Sequence, residues 1–267
     1  MKPLTINIDR VVGQLEELAA FSSSEPPGVT RVLFTDADLK ARNYLRGLME
    51  DVGLAVRQDA AGNLFGTWQV DDGGDGRVAT GSHCDAIPHS GTYDGTVGVL
   101  GGLEAIRALK AAGFAPRRPI ELVMFTSEEP TRYGIGCLGS RLMGGVMSPE
   151  DAAELEDEDG ARFEETRRQA GCGGTLGEVR CDEGEFAAFV ELHIEQGPLL
   201  ERNATEIGIV TAIAAPATLR VTYTGEGGHA GAVLMPTRKD ALLPAAELAL
   251  FVDRAARELG GADTVAT

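Results

Sequence analysis

Several features that would assign this chain to a class are rare or missing. It has only four cysteines, Cys84, Cys137, Cys172 and Cys181, and none of them forms a C-x-x-C pair. A chain of 267 residues does not need disulfides to hold its fold. It has no run of about 18 apolar residues and no basic stretch followed by an apolar one at its start. We therefore expect a protein of a reducing compartment, cytoplasmic and outside the membrane.

Basic residues are also scarce. Lys and Arg together number 24 against 41 Asp and Glu, which gives a formal net charge of -17. Such a field repels phosphate backbones and anionic lipid surfaces, so we expect neither nucleic acid nor a membrane as a partner. The acidic stretch from Glu150 to Glu165 is typical of a solvated loop or helix face.

The hydrophobic pattern favours an α/β fold. Apolar residues at three- and four-residue spacing predict helices, one of which begins at a capping arrangement of Thr35 and Asp38. A strand, a helix and a strand in succession predict a parallel pair with a crossover helix, which places ligand sites at the carboxyl ends of the strands. The predicted elements are helices at 8–21, 35–53 and 97–113, a hairpin of 54–57 with 63–69, and strands at 77–81 and 120–126.

A change of pattern after Pro198 predicts a second domain. It consists of two short strands at 206–212 and 218–225, a helix at 240–258 and a further strand that begins at Thr264. We place the boundary near Ile207. The predicted domains are therefore residues 1–207, which bind metal and catalyse, and residues 208–267.

Three of the four histidines, His83, His193 and His229, lie in polar segments bounded by glycine or beside acidic residues. His83 follows a predicted strand. His193 lies in an alternating run, residues 187–195, whose Val190, Leu192 and Ile194 we expect on the buried face. This concentration of imidazoles is the first indication of a site.

Carboxylates follow the same strand ends. Asp94 comes eleven residues after His83, and Glu128 and Glu129 follow the next strand. Two divalent ions about 3.5–4 Å apart need such ligands, with one carboxylate as the bridge, and together they acidify a water molecule. Because adjacent side chains at a strand end diverge, we assign Glu129 as a ligand and Glu128 as the general base, with Asp94 as the bridge.

Two neighbours of His83 need an interpretation. Asp85 is suited to accept the ring N–H that His83 does not offer to a metal. Cys84 suggests a competing cysteine nucleophile, but adjacent residues of an extended chain point to opposite sides. A dyad of Cys84 and His83 is therefore geometrically poor.

Five segments resemble, in order, signatures of the two-metal amidohydrolases that include N-carbamoyl-L-amino acid hydrolases, allantoate amidohydrolase and ureidoglycolate amidohydrolase. They are Gly81-Ser-His-Cys-Asp-Ala-Ile-Pro, Tyr93-Asp-Gly-Thr-Val-Gly-Val-Leu, Phe125-Thr-Ser-Glu-Glu-Pro-Thr-Arg-Tyr-Gly, Cys137-Leu-Gly-Ser-Arg and Glu191-Leu-His-Ile-Glu-Gln-Gly-Pro. The Glu-Glu-Pro-Thr-Arg motif and the segments that begin at Val210 and Gly228 resemble the ureidoglycolate branch most.

The resemblance implies a zinc-peptidase-like catalytic domain, with a mixed, mostly parallel sheet flanked by helices, and part of an inserted α+β lid and dimerisation domain. It implies hydrolysis of a ureido C–N bond in a small molecule, two divalent metal ions with Mn²⁺ favoured and Zn²⁺ as the other candidate, and a homodimer in the full-length form. By matching motifs, the metal ligands are His83, Asp94, Glu129 and His193, the base is Glu128, the substrate contact is Gln196, and the oxyanion contact, from the partner subunit, is His229.

The chain departs from the family at its end. Members continue past this point and supply one more metal-binding histidine, whereas no histidine follows His229 here. Three readings follow: a fragment of a longer product, which we favour, a chain completed by a partner, or an inactive copy. Ureidoglycolate is the expected substrate. The alternatives are allantoate or an N-carbamoyl-L-amino acid, and a non-catalytic binding or assembly protein.

Overall fold

The computed structural model describes residues 3–70, 76–213, 217–260 and 264–266. The chain divides into two compact units, Met1–Ala204 and Thr205–Thr267. This division lies close to the boundary expected near Ile207. The assignment of residues 1–207 and 208–267 as functional domains stays a prediction.

A mixed five-stranded sheet forms the centre of the first unit, in the order β2-β3-β6-β4-β7. The strands are β1 (Val29–Arg31), β2 (Ala55–Gln58), β3 (Leu64–Trp68), β4 (Arg77–His83), β5 (Ala86–Ser90), β6 (Ile120–Phe125) and β7 (Phe186–Val190). β4 is parallel to both β6 and β7, and β3 is antiparallel to both β2 and β6. The predicted hairpin and the predicted parallel pair are confirmed.

Helices of the first unit pack against the sheet through buried apolar residues. Leu18, Leu45 and Leu103 come from three different helices and are fully buried in one cluster. Phe65 and Phe163 belong to a second cluster of buried residues. The helices are α1 (Ile8–Ala19), α2 (Asp36–Asp51), α3 (Thr96–Ala111), α4 (Leu138–Met143), α5 (Pro149–Ala153), α6 (Phe163–Gln169), α7 (Leu199–Arg202) and α8 (Leu242–Leu259). In the part of the chain that the structure describes, no helix is long and apolar enough to cross a bilayer.

The start of α2 differs from the expected capping arrangement. The hydroxyl of Thr35 donates to the carbonyl of Val32 and does not cap the helix. Asp38 instead accepts from the backbone N–H of Phe34 at 2.8 Å and from Arg42 Nε at 2.7 Å. The Asp38 carboxylate, which the sequence pattern assigned to the helix cap, therefore forms a buried ion pair with Arg42.

Two strands of the first unit, β1 and β5, were not predicted, and one predicted strand is wrong in extent. The loop after His83 contains β5, which pairs with β1. β7 ends at Val190 and does not continue to residue 195, and Val190 and Leu192 are 66% and 54% exposed. Beyond Val190 the chain leaves the sheet and runs against α3, where Leu192 lies close to Gly98 and Gly101, so the alternating pattern continues without strand pairing.

The second unit contains α8, as expected, but not the predicted strands. Residues 206–212, 218–225 and 264–266 form no strand, and Thr267 lies outside the described residues. Ile209 and Leu219 are 90% and 84% exposed. A strand forms only when its backbone pairs with a neighbour. The apolar alternation predicted strands here, but among the described residues these segments have no strand to pair with.

Asp38→Asn should destabilise the first unit, because the guanidinium of Arg42 would stay buried without its carboxylate. We expect the free energy of unfolding, measured by urea denaturation, to fall by about 3–5 kcal/mol. Glu154→Gln is the control, since the pair of Glu154 and Arg162 is exposed and such pairs contribute about 0–1 kcal/mol. An equal loss in both variants would contradict the importance of the buried pair.

Candidate functional site

Three strands deliver the candidate site to one edge of the sheet. β4 and β6 are parallel and in register, with His83 opposite Phe125. His83 therefore ends its strand at the edge where Glu128 and Glu129 follow β6. β7 is parallel to β4 on its other side, and the chain beyond it carries His193.

A glycine lets the backbone beside Asp94 lie directly against the ring of His83. Gly95 has a φ of +65° and is the N-cap of α3. A Cβ atom at this position would lie 2.4 Å from Cδ2 and Nε2 of His83. The left-handed backbone and this contact both require glycine, and together they hold Asp94 beside the imidazole.

A second glycine admits the segment that carries His193. A Cβ atom on Gly98, in the first turn of α3, would lie 2.5 Å from the carbonyl oxygen of Leu192. The chain beyond β7 therefore runs against the helix backbone itself. This close approach sets the position from which His193 extends.

Five of the predicted residues converge in two overlapping groups that share His83. In each group the possible ligand atoms lie within 4.8 Å of one another: His83 with Asp94 and His193, and His83 with Glu128 and Glu129. Asp94 Oδ1 lies 3.3 Å from His193 Nε2 and 4.0 Å from His83 Nε2. Glu128 Oε2 lies 3.5 Å from His83 Nε2. Imidazoles and carboxylates in this arrangement form a donor set that fits divalent transition metals.

Gln196 and the main chain orient the ligand groups. Gln196 Nε2 donates to Asp94 Oδ2 at 2.7 Å, which leaves Asp94 Oδ1 toward the two histidines. His193 Nδ1 lies 2.8 Å from the carbonyl oxygen of Ile194. A carbonyl can only accept, so Nδ1 carries a proton and Nε2 is the nitrogen that faces Asp94.

Asp85 acts differently from the expectation that its carboxylate would bind the ring of His83. His83 Nδ1 donates to the main-chain carbonyl of Asp85 at 3.0 Å, whereas the carboxylate lies 3.6 Å from that nitrogen. The carboxylate oxygens instead accept from the backbone N–H groups of Glu128 at 3.3 Å and Glu129 at 2.9 Å. Asp85 therefore connects the ends of β4 and β6 beneath the site.

The acidic residues of the site perturb one another. Burial raises the pKa of the Asp85 carboxyl to about 6, and His83 partly opposes that shift. Burial also raises the pKa of Glu129, and the nearby charges of Glu128, Asp85 and Asp94 act in the same direction. Crowded carboxylates that disfavour one another's ionisation are relieved by a bound cation.

Cys84 does not serve as a nucleophile in this arrangement. Its thiol is fully buried, and burial raises its pKa to about 12. Its sulfur lies 4.0 Å from Oδ1 of Asp38. A buried, protonated thiol of this kind is inert, in agreement with the argument against a dyad with His83.

His229 belongs to the second unit and is described by itself. Its side chain is exposed, and its Nδ1 accepts from the backbone N–H of Gly231 at 3.2 Å. Its role at the oxyanion stays a prediction.

Sequence reasoning missed a contact between Cys137 Sγ and Glu128 Oε1, 3.4 Å apart, because residues nine apart across a loop carry no spacing signal.

Asp85→Asn should weaken metal binding, because an asparagine has one acceptor oxygen and cannot take both backbone N–H groups of Glu128 and Glu129. We expect the dissociation constants of Mn²⁺ and Zn²⁺, titrated separately by calorimetry, to rise about 10- to 100-fold. Asp51→Asn, at the exposed end of α2, is the matched control and should bind as the original chain does. Unchanged affinity in Asp85→Asn would show that Asp85 does not support the site.

Comparisons with known proteins identify relatives from one family of hydrolases. A family model described as "Peptidase family M20/M25/M40" matches residues 79–267. The ureidoglycolate hydrolase of Oryza sativa subsp. japonica is 54% identical, with 99% of this chain and 56% of that protein aligned. The ureidoglycolate hydrolase of Arabidopsis thaliana is 52% identical, with 99% of this chain and 57% of that protein aligned.

A solved structure gives the same picture. The crystal structure of AtUAH in complex with glyoxylate matches with a TM-score of 0.87 and 51% identity over 97% of this chain and 63% of that one. The chain thus spans 56% and 57% of the length of the two curated relatives.

Proposed function

This chain belongs to peptidase family M20/M25/M40, a metal-dependent family, and on that premise we propose that it provides catalytic residues for the hydrolysis of a ureido C–N bond. The family resemblance and the zinc-peptidase-like fold expected from the sequence are confirmed. The convergence of His83, Asp94, Glu128, Glu129 and His193 at one sheet edge is the observation that carries the proposal.

We assign the metal ligands as His83, Asp94, Glu129 and His193. Asp94 faces both histidines, which supports its role as the shared ligand. Two divalent ions bound there would polarise a carbonyl and lower the pKa of a water molecule. Mn²⁺ is the favoured ion and Zn²⁺ the other candidate, since sites of imidazole and carboxylate accept both.

Glu128 is the proposed general base. Its side chain is 41% exposed, so a substrate and a water molecule can reach it, and its Oε2 faces the ligand cluster. It would accept the proton of the attacking water and return it to the leaving nitrogen. The Asp85 carboxylate accepts from the backbone N–H groups of both Glu128 and its neighbour Glu129. The side chain of Glu129 then remains available as a metal ligand.

Gln196 and His229 are proposed to act on the substrate. The amide nitrogen of Gln196 is engaged by Asp94, so its amide oxygen remains for a substrate N–H. His229 would stabilise the oxyanion, supplied by the partner subunit of a homodimer. The small residues around it, Gly228, Ala230 and Gly231, leave room for another surface to approach closely.

Ureidoglycolate is the substrate we propose, with glyoxylate, ammonia and carbon dioxide as products. The support is the similarity to the two plant ureidoglycolate hydrolases and to the AtUAH structure in complex with glyoxylate. Ammonia release from ureidoglycolate, allantoate and an N-carbamoyl-L-amino acid, each with Mn²⁺ present, tests the choice. We expect ureidoglycolate to react fastest, and a faster reaction of either alternative would refute it.

Glu128→Gln tests the mechanism, because it keeps the size of the side chain and removes its basicity. We expect turnover to fall by roughly a hundredfold or more, while the metal content, measured by plasma emission spectrometry, stays unchanged. Glu165→Gln, on an exposed position of α6, is the control and should keep full turnover. Normal turnover in Glu128→Gln would contradict the assigned base, and less than one tightly held ion per chain would favour a non-catalytic binding protein.

A further inference from the structure

The two oxygens of the Glu128 carboxylate face different partners. Oε1 lies 3.4 Å from Cys137 Sγ. Oε2 lies 3.5 Å from His83 Nε2, on the side of the ligand cluster. A group that holds Oε1 therefore decides which way Oε2 points.

The backbone brings Cys137 to this position. The N–H of Cys137 donates to the carbonyl of Glu128 at 2.7 Å, and the next two N–H groups donate to the carbonyls of Ser127 and Thr126, each at 2.9 Å. Three successive hydrogen bonds thus join the loop after β6 to the start of α4. A Cβ atom on Gly136 would lie 2.7 Å from the Glu128 carbonyl oxygen, so the preceding position admits no side chain without a shift.

Cys137 adopts a backbone conformation that favours glycine. Its φ is +59° at the N-cap of α4, in the left-handed region that is strained for an L-residue. Such outliers cluster at functional sites. The side chain present at this strained position is the one that contacts Glu128.

The thiol has the protonation state that a hydrogen-bond donor requires. Burial raises the pKa of Cys137 to about 11, and the charge of Glu128 and the hydrogen bond to it act in the same direction. At neutral pH the sulfur therefore carries its proton and can donate to the carboxylate. An S–H donor is weak, but the backbone hydrogen bonds described above hold Cys137 in place for this contact.

We propose that Cys137 is a positioning residue for Glu128, holding Oε1 so that Oε2 faces the metal-ligand cluster. The positioning role rests on the proposed function, since it assumes that Glu128 is the base. The contact itself does not. The thiol takes no covalent part in the reaction.

Cys181 provides a matched thiol in the same unit. It is also half-buried, and burial raises its pKa to about 11, but the acid beside it is Glu185 and not Glu128. The two thiols thus start from similar reactivity and respond to different carboxylates. Any change that loosens the whole unit should affect both.

The first experiment replaces each of these two glutamates by glutamine and measures the reactivity of both thiols. Iodoacetamide labelling of Cys137 and Cys181, quantified by peptide mass spectrometry, would be compared among the original chain, Glu128→Gln and Glu185→Gln, without added metal. Because iodoacetamide reacts with the thiolate, Glu128→Gln should accelerate labelling of Cys137 roughly threefold or more and leave Cys181 unchanged. Glu185→Gln should do the reverse. No acceleration of Cys137, or equal acceleration of both thiols in Glu128→Gln, would overturn the contact.

The second experiment tests positioning. Cys137→Ala removes the donor and Cys137→Ser keeps one, while both retain an L-residue at the strained backbone. We expect kcat to fall about tenfold in Cys137→Ala, with KM and metal content unchanged, and to recover most of its value in Cys137→Ser. Equal kcat in the two variants overturns the positioning role. If the original chain hydrolyses none of the ureido compounds, the proposed function fails, whereas the labelling result still decides the contact.

Discussion

Parallel pairing of β4 with β6 is the constraint on which the site depends. Strands that run in the same direction end at the same edge, so His83 and the Glu128–Glu129 pair meet although they are more than forty residues apart. The pairing needs Gly81, because a Cβ atom there would lie 1.8 Å from the carbonyl oxygen of Val123. An antiparallel arrangement would send the same side chains to opposite edges. The chemistry of the site is thus decided first by the direction of two backbones.

The buried carboxylate of Asp85 shows how the edge is made rigid. Its carbonyl fixes the ring of His83, and its carboxylate receives the N–H groups of two consecutive glutamates. One residue therefore sets the geometry on both sides of the cluster. It does so under electrostatic tension, since burial raises its pKa and Asp38 adds to that effect. Perturbed pKa values of this kind cluster at functional sites.

Local pattern predicted the elements whose partners lie within the chain. The helices α1, α2 and α3, the hairpin and the parallel pair follow from apolar spacing, because the described residues supply the surfaces that their apolar residues cover. The short helices α4, α5 and α6 were not predicted. The extent of β7 and the strands of the second unit do not follow, since their apolar residues, such as Val190 and Ile209, are exposed and alternation alone cannot supply a neighbour. The site residues could be named from strand ends and motifs. The contacts of the Asp85 carbonyl and of the Cys137 thiol could not be predicted, because main-chain acceptors and contacts across a loop produce no periodic pattern in the sequence.

The edge position of β7 has a consequence for cohesion. This strand adjoins β4 on one side only and leads to His193, while His83 ends β4 in the interior of the sheet. A metal ion bound by both His83 and His193 would link the outermost strand, β7, to its neighbour β4. By mass action, whatever binds only the folded form also strengthens it. Metal binding and the pairing of β7 with β4 are therefore thermodynamically coupled, and loss of the metal would weaken this outer strand before the inner strands.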